Sequence, residues 1–337
     1  MKEALTRWLQ AKIPDAHDLR LGNLLRPSAG ASSETQLFEA TWSTGALAGV
    51  LRAAPDGPGV FPEYDLGRQF RVLRAVHRYS DAPVPEPLWL ESDPSILGVP
   101  FFVMRQVSGR APLDHPSYHG EGFYRDATPE ARRQIWSDSI DALARLHDTP
   151  IEELELDDLR EPRLDYWTRY HERWMKDDPS ESHPVLDAAL GWLGAHAEPA
   201  KRHCLCWGDA KLGNALFDPA SDHQLTALLD WEMAYLGDPE LDLASLYISD
   251  LRAHEGQNLP RLEGTPTREA LIAEYQRRGG HEVHRFHYHE VFATFWRGTV
   301  LVKILKDLRA KGSDVPETML YENFMISHLE QLLDCPI

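Results

Sequence analysis

The first hundred residues alternate short apolar runs with turn residues, a pattern that indicates strands more than helices. After an opening amphipathic helix, strands are predicted at residues 19–26, 36–42, 47–53, 88–90 and 101–107. Repeated prolines just before residue 88 exclude a helix there. The first part of the chain is therefore predicted to be mainly a β-sheet.

Helical patterns dominate the rest of the chain. Thr128 and Pro129 form an N-cap and a first-turn proline, and apolar residues follow at helical spacing. His147 ends this helix, where we expect it to contact the terminal carbonyl groups. Residues 292–311 and 320–333 are predicted as closing helices.

An aromatic segment lies between these helices. Tyr166, Tyr170 and Trp174 are four residues apart and would share one helical face. Such a face usually packs into a core, and it could also form the wall against which an apolar part of a substrate rests.

A hairpin is predicted where two short apolar runs, 215–217 and 225–229, flank turn residues. This hairpin would bring Asn214 and Asp230 together at its open end. A carboxylate beside an amide oxygen suits Mg²⁺, which prefers hard oxygen ligands. Asp209 lies one tight loop upstream, where it could accept a proton from an attacking hydroxyl.

Three motifs in this region resemble the aminoglycoside phosphotransferase family, and more closely its branch related to the kinase-like domains of some acyl-CoA dehydrogenases. The family pattern HGDxxxxN stands here as WGDAKLGN at residues 207–214. The patterns D(W/F)E and GDPxxDLA stand as DWE at 230–232 and GDPELDLA at 237–244. The resemblance implies an α+β, bilobal protein-kinase-like fold. Residues 1–105 would be a small antiparallel-sheet lobe, and residues 106–337 a larger, mainly helical lobe.

The same resemblance implies an ATP-dependent, Mg²⁺-requiring phosphotransferase that acts on the hydroxyl of a small molecule. Asp209 would be the catalytic base, and Asn214 and Asp230 the metal ligands. Asp238 and Asp242 would support the catalytic loop without touching the substrate.

Five residues are predicted to bind the nucleotide. Ser32 and Ser33 lie in a small-residue loop between strands that could drape amides over phosphates, although an ordinary hairpin turn fits it equally well. Arg52 stands where a kinase presents a cation to the phosphates. In the strand at 101–107, Met104 would supply an apolar wall and Gln106 backbone hydrogen bonds to the base.

Two positions depart from the family pattern. Trp207 replaces the usual histidine, and Gln69 stands where a glutamate would pair with Arg52, with Glu63 or Asp65 as alternative partners. Three functions therefore stay open: a metabolic kinase for a hydroxylated or hydroxyacyl-type acceptor, which we prefer; an antibiotic kinase; and a catalytically silent nucleotide-binding protein.

Composition narrows the choice of partners. The 337 residues, 42% of them hydrophobic, suffice for two lobes. A formal charge of −18 argues against nucleic acid, and no apolar run is long enough to span a membrane. The histidines at 281–289 suggest no metal site. The cysteines suggest buried free thiols, which are typical of a reducing compartment, and we expect a soluble cytoplasmic protein. The natural acceptor, ATP versus GTP and the oligomeric state are not determined by the sequence.

Overall fold

The computed structural model describes residues 1–26, 34–55, 59–62, 64–154, 156–161, 163–178, 180–279 and 281–334. Ser32 and Ser33 lie outside the described residues, so their predicted contact with phosphates stays a prediction. Glu63 and Cys335 also lie outside them.

The N-terminal part contains an antiparallel sheet in the order β1-β2-β3-β5-β4. The predicted strands are present, but residues 19–26 form only a two-residue strand and an isolated bridge between Leu25 and Leu37. The predicted strand 101–107 ends at Arg105. The bounds of the strands are β1 Arg20–Leu21, β2 Glu34–Trp42, β3 Gly45–Ala53, β4 Pro87–Glu91 and β5 Phe101–Arg105.

Helices cover both faces of this sheet. Successive strand residues point to opposite sides, and the strands carry apolar side chains on both of them. Helix α1 (Lys2–Lys12) packs on the face that contains Leu51 and Val103. Helix α2 (Leu66–Tyr79) packs on the other face, where Phe70 and Phe102 form a tilted ring pair.

The second part of the chain is mainly helical. The bounds of its helices are α3 Phe123–Asp126, α4 Pro129–His147, α5 Arg163–Tyr170, α6 Pro184–Ala195, α7 Glu240–His254, α8 Arg268–Gly279, α9 Phe286–Ala310 and α10 Phe324–Asp334. Thr128 caps α4 as predicted, because its side chain accepts the amide of Ala131. The predicted helix 292–311 begins earlier, at Phe286, and the last helix begins later, at Phe324, after a 3₁₀ turn at Glu317–Leu320.

Two small strand pairs lie inside the helical part. Strands β7 (Ala215–Asp218) and β8 (Gln224–Leu228) form the predicted hairpin. Strand β6 (Cys204–Cys206) pairs with β9 (Tyr235–Gly237), and both of its cysteines are free and buried, as expected.

The apolar core continues across the proposed lobe boundary. Val50, Phe70 and Phe102 belong to the same buried cluster as the helices of the second part. Within the described parts of the chain, no helix has both the length and the apolar character that crossing a bilayer requires. A division between residues 105 and 106 stays a prediction.

Candidate active site

The loop after β6 has a conformation that requires glycine. Gly208 has a φ of +92°, and a Cβ atom there would lie 2.0 Å from the main-chain oxygen of Met233. The chain therefore turns tightly at Gly208 and presents Asp209 immediately afterwards.

Asp242, from the first turn of α7, fixes this loop. Its two carboxylate oxygens accept the backbone amides of Trp207 at 2.5 Å and of Gly208 at 2.8 Å. The Asp242 side chain is fully buried, so these charge-assisted bonds are shielded from water. Asp242 thus has the supporting position that the motif suggested. Asp238 does not touch the loop; it accepts the amide of Glu240 and lies 3.3 Å from His289.

His147 lies behind Asp242, and the prediction that it contacts helix-terminal carbonyls is wrong. Its Nε2 lies 3.2 Å from Asp242 Oδ2, and its Nδ1 lies 2.7 Å from the hydroxyl of Tyr275. The ring is buried against tertiary partners, which hold it more specifically than the carbonyls at its own helix end could.

Trp207 connects the loop to the end of the hairpin. Its indole N–H donates to the carbonyl oxygen of Leu229 at 2.7 Å, and its ring lies 6.1 Å from that of Trp231. Leu229 precedes Asp230, so the indole ties the catalytic loop to the segment that carries the second acid.

Asp209 is surrounded by one amide and two cations. Its Oδ2 accepts Nδ2 of Asn214 at 3.0 Å and lies 3.2 Å from Nζ of Lys211. A guanidinium nitrogen of Arg297, from α9, lies 3.0 Å from its Oδ1. This contact is an ion pair, and no well-aligned hydrogen bond reaches Oδ1 from the described residues. One buried carboxylate oxygen therefore keeps the capacity to accept another hydrogen bond.

These cations determine the protonation state of Asp209. Burial raises its pKa, but the charges of Lys211 and Arg297 and the hydrogen bonds of Lys211 and Asn214 outweigh burial and lower the pKa to about 2. Asp114 completes the arrangement, because its carboxylate lies 3.4 Å from Nζ of Lys211. The carboxylate of Asp209 is therefore charged throughout the neutral range.

Asn214 and Asp230 lie at the open end of the hairpin, as predicted. The amide of Leu229 donates to the carbonyl oxygen of Asn214 at 2.8 Å, which joins the two strand ends. Because the Asn214 side chain turns its NH₂ group toward Asp209, its Oδ1 is left without a donor among the described residues. Asp230 has a φ of +62°, a left-handed conformation that aspartate tolerates better than most residues.

Arg52 joins the sheet to this site. Its guanidinium donates to Asp230 at 3.0 Å and lies 3.8 Å from Glu232. Gln69 does not take the place of the glutamate, since its buried Oε1 has no hydrogen-bond partner in the described part of the chain. Asp65 is not the alternative partner, because it caps α2 by accepting the amide of Arg68.

A cavity lies between the sheet and the hairpin. Arg52, Gln69, Met104 and Asp230 are among the residues that line it. Gln106 is exposed two residues beyond Met104, and its backbone amide already donates to the carbonyl oxygen of Ala48 at 2.9 Å. Any contact of Gln106 with a base would therefore use its carbonyl or its side chain.

Tyr170, at the end of α5, and Trp174, in the helical turn that follows, contact the segment before α2. The Tyr170 hydroxyl and the Trp174 indole N–H both donate to the carbonyl oxygen of Val60. Tyr170 is buried, which agrees with core packing, the more common role of such a face.

The sequence interpretation missed Lys211, Arg297 and Asp114. Lys211 is two residues beyond Asp209, so the motif itself held a signal. Arg297 and Asp114 are far away in the chain, and only the folded structure brings them to Asp209. The histidines at 281–289 have separate neighbours: His281 contacts Arg202, and His289 lies beside Asp238.

The chain matches known proteins over most of its length. The sequence profile of the phosphotransferase enzyme family matches residues 18–289. The chain is 32% identical over 246 residues to rat acyl-CoA dehydrogenase family member 11, covering 70% of this chain and 30% of that protein. It is 29% identical over 269 residues to mouse acyl-CoA dehydrogenase family member 10, covering 76% of this chain and 24% of that protein. The chain thus spans less than a third of the length of these relatives.

Solved structures show the same fold. A Ralstonia eutropha protein assigned as an aminoglycoside phosphotransferase superposes with a TM-score of 0.70 at 22% identity, over 98% of this chain and 95% of that one. A spectinomycin phosphotransferase bound to ADP and spectinomycin gives 0.53 at 12% identity, over 99% and 94%. The predicted α+β kinase-like fold is confirmed, and the chain belongs to the phosphotransferase enzyme family.

Proposed function

We propose that the protein transfers the γ-phosphoryl group of ATP to a hydroxyl of a small molecule. The observation that carries this proposal is the buried carboxylate of Asp209, which is held beside Asn214 and two cations and whose Oδ1 is paired with Arg297 without an aligned hydrogen bond among the described residues. A substrate hydroxyl is a suitable donor for that oxygen.

Asp209 would act mainly by orienting the hydroxyl. With a pKa of about 2, it is a weak base in the ground state. Phosphoryl transfer passes through a loose transition state, in which the hydroxyl needs to lose its proton only late. The hydroxyl proton would then pass to Oδ1 of Asp209 as the new P–O bond forms and the bond to ADP breaks.

The oxygen atoms at the hairpin end fit Mg²⁺. Oδ1 of Asn214 lacks a donor in the described residues, and the Asp230 carboxylate is partly exposed. An amide oxygen and a carboxylate, with room for water and phosphate oxygens, are the hard ligands that this ion prefers. When bound, the ion would neutralise negative charge on the phosphates.

Arg52 and the cavity would hold the nucleotide. Arg52 already contacts Asp230, so a nucleotide in this cavity would meet the cation and the proposed metal ligand together. Met104 would contact the base, and Ser32, Ser33 and Gln106 stay proposed contacts. In this proposal, residues 1–105 bind the nucleotide and residues 106–337 supply the catalytic loop and the acceptor site.

For the acceptor we prefer a metabolic hydroxylated or hydroxyacyl-type molecule. The relatives named as acyl-CoA dehydrogenase family members support this choice, since their identity to the chain exceeds that of the antibiotic phosphotransferases. An antibiotic kinase is the alternative. The two buried thiols, Cys204 and Cys206, suit a reducing compartment such as the cytoplasm.

The test measures binding and turnover separately. Melting curves with and without MgATP should show stabilisation in both the wild type and Asp209→Asn. ADP release across a panel of alcohols should occur in the wild type and fall by at least about a hundredfold in the variant. Binding without turnover of any alcohol would favour the silent nucleotide-binding alternative. Equal turnover in Asp209→Asn would refute the role of Asp209.

A further inference from the structure

A second cavity lies between the end of α7 and the segment that follows this helix. Its volume is about 380 Å³. Sites that bind small molecules typically measure about 300–1,000 Å³. The residues that line the cavity include Tyr247, Asp250, His254, Glu255, Leu259 and Arg261. Acidic, basic and apolar side chains therefore surround one open space.

This cavity is separate from the catalytic loop. Ser245 of α7 accepts a hydrogen bond from Arg297 at 2.7 Å, and the same guanidinium nitrogen lies 3.0 Å from Asp209. Tyr247 is two residues beyond Ser245, which places it about 200° around the helix. His254 is nine residues beyond Ser245, about 14 Å along the helix axis. The cavity and Asp209 therefore lie on opposite sides of α7.

The wall that α7 contributes contains a buried acid and a buried histidine. Oδ1 of Asp250 accepts the Tyr118 hydroxyl at 2.7 Å and lies 2.9 Å from Nε2 of His119. Oδ2 of Asp250 lies 3.5 Å from Nε2 of His254, and this buried nitrogen has no hydrogen-bond partner among the described residues. Because buried polar atoms are normally hydrogen-bonded, these two atoms have bonding capacity that a ligand could use.

The charge of this wall is negative. Burial lowers the pKa of His254, so at neutral pH its ring adds no positive charge beside the carboxylate of Asp250. Glu255, the residue after His254, adds a second carboxylate that is exposed and lines the same cavity. A cationic group in the cavity would therefore be attracted to this wall.

The opposite charge is present on the segment after α7. Arg261 is exposed and lines the cavity, and its side chain forms no hydrogen bond or ion pair within the residues that the structure describes. The same holds for the side chain of Glu255, so these two opposite charges do not pair with each other. The cavity thus offers a cation and two acids at separate places.

We propose that this cavity binds a small zwitterion, a molecule with one ammonium group and one carboxylate. The ammonium donates to Oδ2 of Asp250 beside Glu255, and the carboxylate pairs with Arg261 through two parallel hydrogen bonds. An amine without a carboxylate would meet the like charge of Arg261, and an anion without an ammonium would meet two acids. Leu251 and Leu259 contact the hydrocarbon part.

The test is a calorimetric titration of the full chain without nucleotide. The probes are three zwitterions with increasing charge separation, L-norleucine, 4-aminobutanoate and 6-aminohexanoate, and two compounds with a single charge, hexylamine and hexanoate. We expect at least one zwitterion to bind at one site per chain, at least about tenfold more tightly than either single-charge compound. The zwitterion that binds most tightly reports the spacing of the two charged walls.

Variants of the exposed charges provide the second measurement. Arg261→Gln and Glu255→Gln should each weaken the zwitterion by at least about tenfold. Arg261→Glu should instead favour hexylamine over the zwitterion. Arg160→Gln removes an exposed arginine that pairs with Asp157, and this control should leave the affinity unchanged.

The outcomes are independent of phosphoryl transfer, which is measured by ADP release. Binding of none of the three zwitterions would overturn the proposed site. Equal affinity for a zwitterion and for hexylamine or hexanoate would overturn the assignment of a doubly charged ligand. Unchanged affinity in Arg261→Gln would show that the zwitterion binds elsewhere on the chain, which also overturns the proposal.

Discussion

Replacing Asp242 by Asn should loosen the catalytic loop without changing its shape or volume. In the wild type, both carboxylate oxygens accept backbone amides, from Trp207 at 2.5 Å and from Gly208 at 2.8 Å, and His147 lies 3.2 Å from Oδ2. An asparagine keeps one oxygen and places an NH₂ group where the other oxygen stood. One backbone amide would then face a donor in a fully buried position.

The expected loss of stability follows from those contacts. A hydrogen bond to a charged group contributes about 1.5–3 kcal/mol, and an unsatisfied buried donor costs about 1–3 kcal/mol. The free energy of unfolding should therefore fall by about 2.5–6 kcal/mol, out of a typical total of about 5–15 kcal/mol. A misplacement of Asp209 by about 1 Å would lower kcat by about a hundredfold.

Urea unfolding and steady-state kinetics measure these two effects. The KM of ATP should stay near the wild-type value, because Asp242 makes no contact with Arg52 or with the lining of the cavity. Asp157→Asn, which removes the exposed partner of Arg160, is the control and should cost less than about 1 kcal/mol. If Asp242→Asn unfolded and turned over like this control, the supporting role of Asp242 would be refuted.

Three further variants test other parts of the site. Gly208→Ala should lower the free energy of unfolding in urea by more than about 3 kcal/mol, because the new Cβ would lie 2.0 Å from a carbonyl oxygen. The control Gly191→Ala, with no neighbour within 4 Å, should raise this free energy by up to about 1 kcal/mol. Equal values for the two variants would contradict the loop geometry. Arg52→Gln should raise the KM of ATP at least about tenfold, and an unchanged KM would refute a contact between Arg52 and the nucleotide. In the wild type, the stability and activity that depend on charged Asp209 are present above its ordinary pKa of 3.8 and are lost as the pH falls through about 2. Lys211→Met should move that loss to higher pH, because burial then raises the pKa with one cation fewer to oppose it, and a pH profile of kcat/KM identical to that of the wild type would contradict this cause.

The sequence predicted the parts of the site that local patterns encode. The turn residues between two apolar runs predicted the hairpin. At its open end, the backbone amide of Leu229 donates to the carbonyl oxygen of Asn214. The glycine before Asp209 indicated a tight loop, and the structure gives Gly208 a positive φ. Short apolar runs between turn residues predicted the strands that carry Arg52 and Met104.

Contacts between distant residues could not be predicted in this way. Arg297 lies in the middle of α9, where an arginine at helical spacing gives no sign that it reaches Asp209. His147 ends α4, and its partner Asp242 comes from another helix. The preference of a histidine at a helix end for the last carbonyl groups predicted a local contact. The ring of His147 is buried and instead contacts the carboxylate of Asp242. The pairing of Arg52 with Asp230 likewise depends on how the sheet lies against the hairpin.

The most direct test of the central claim is a crystal structure with Mn²⁺ and a non-hydrolysable ATP analogue, in which anomalous scattering locates the ion. The account predicts an ion bound by Oδ1 of Asn214 and the carboxylate of Asp230, with the terminal phosphate directed toward Oδ1 of Asp209. An ion bound elsewhere, or a terminal phosphate directed away from Asp209, would contradict it.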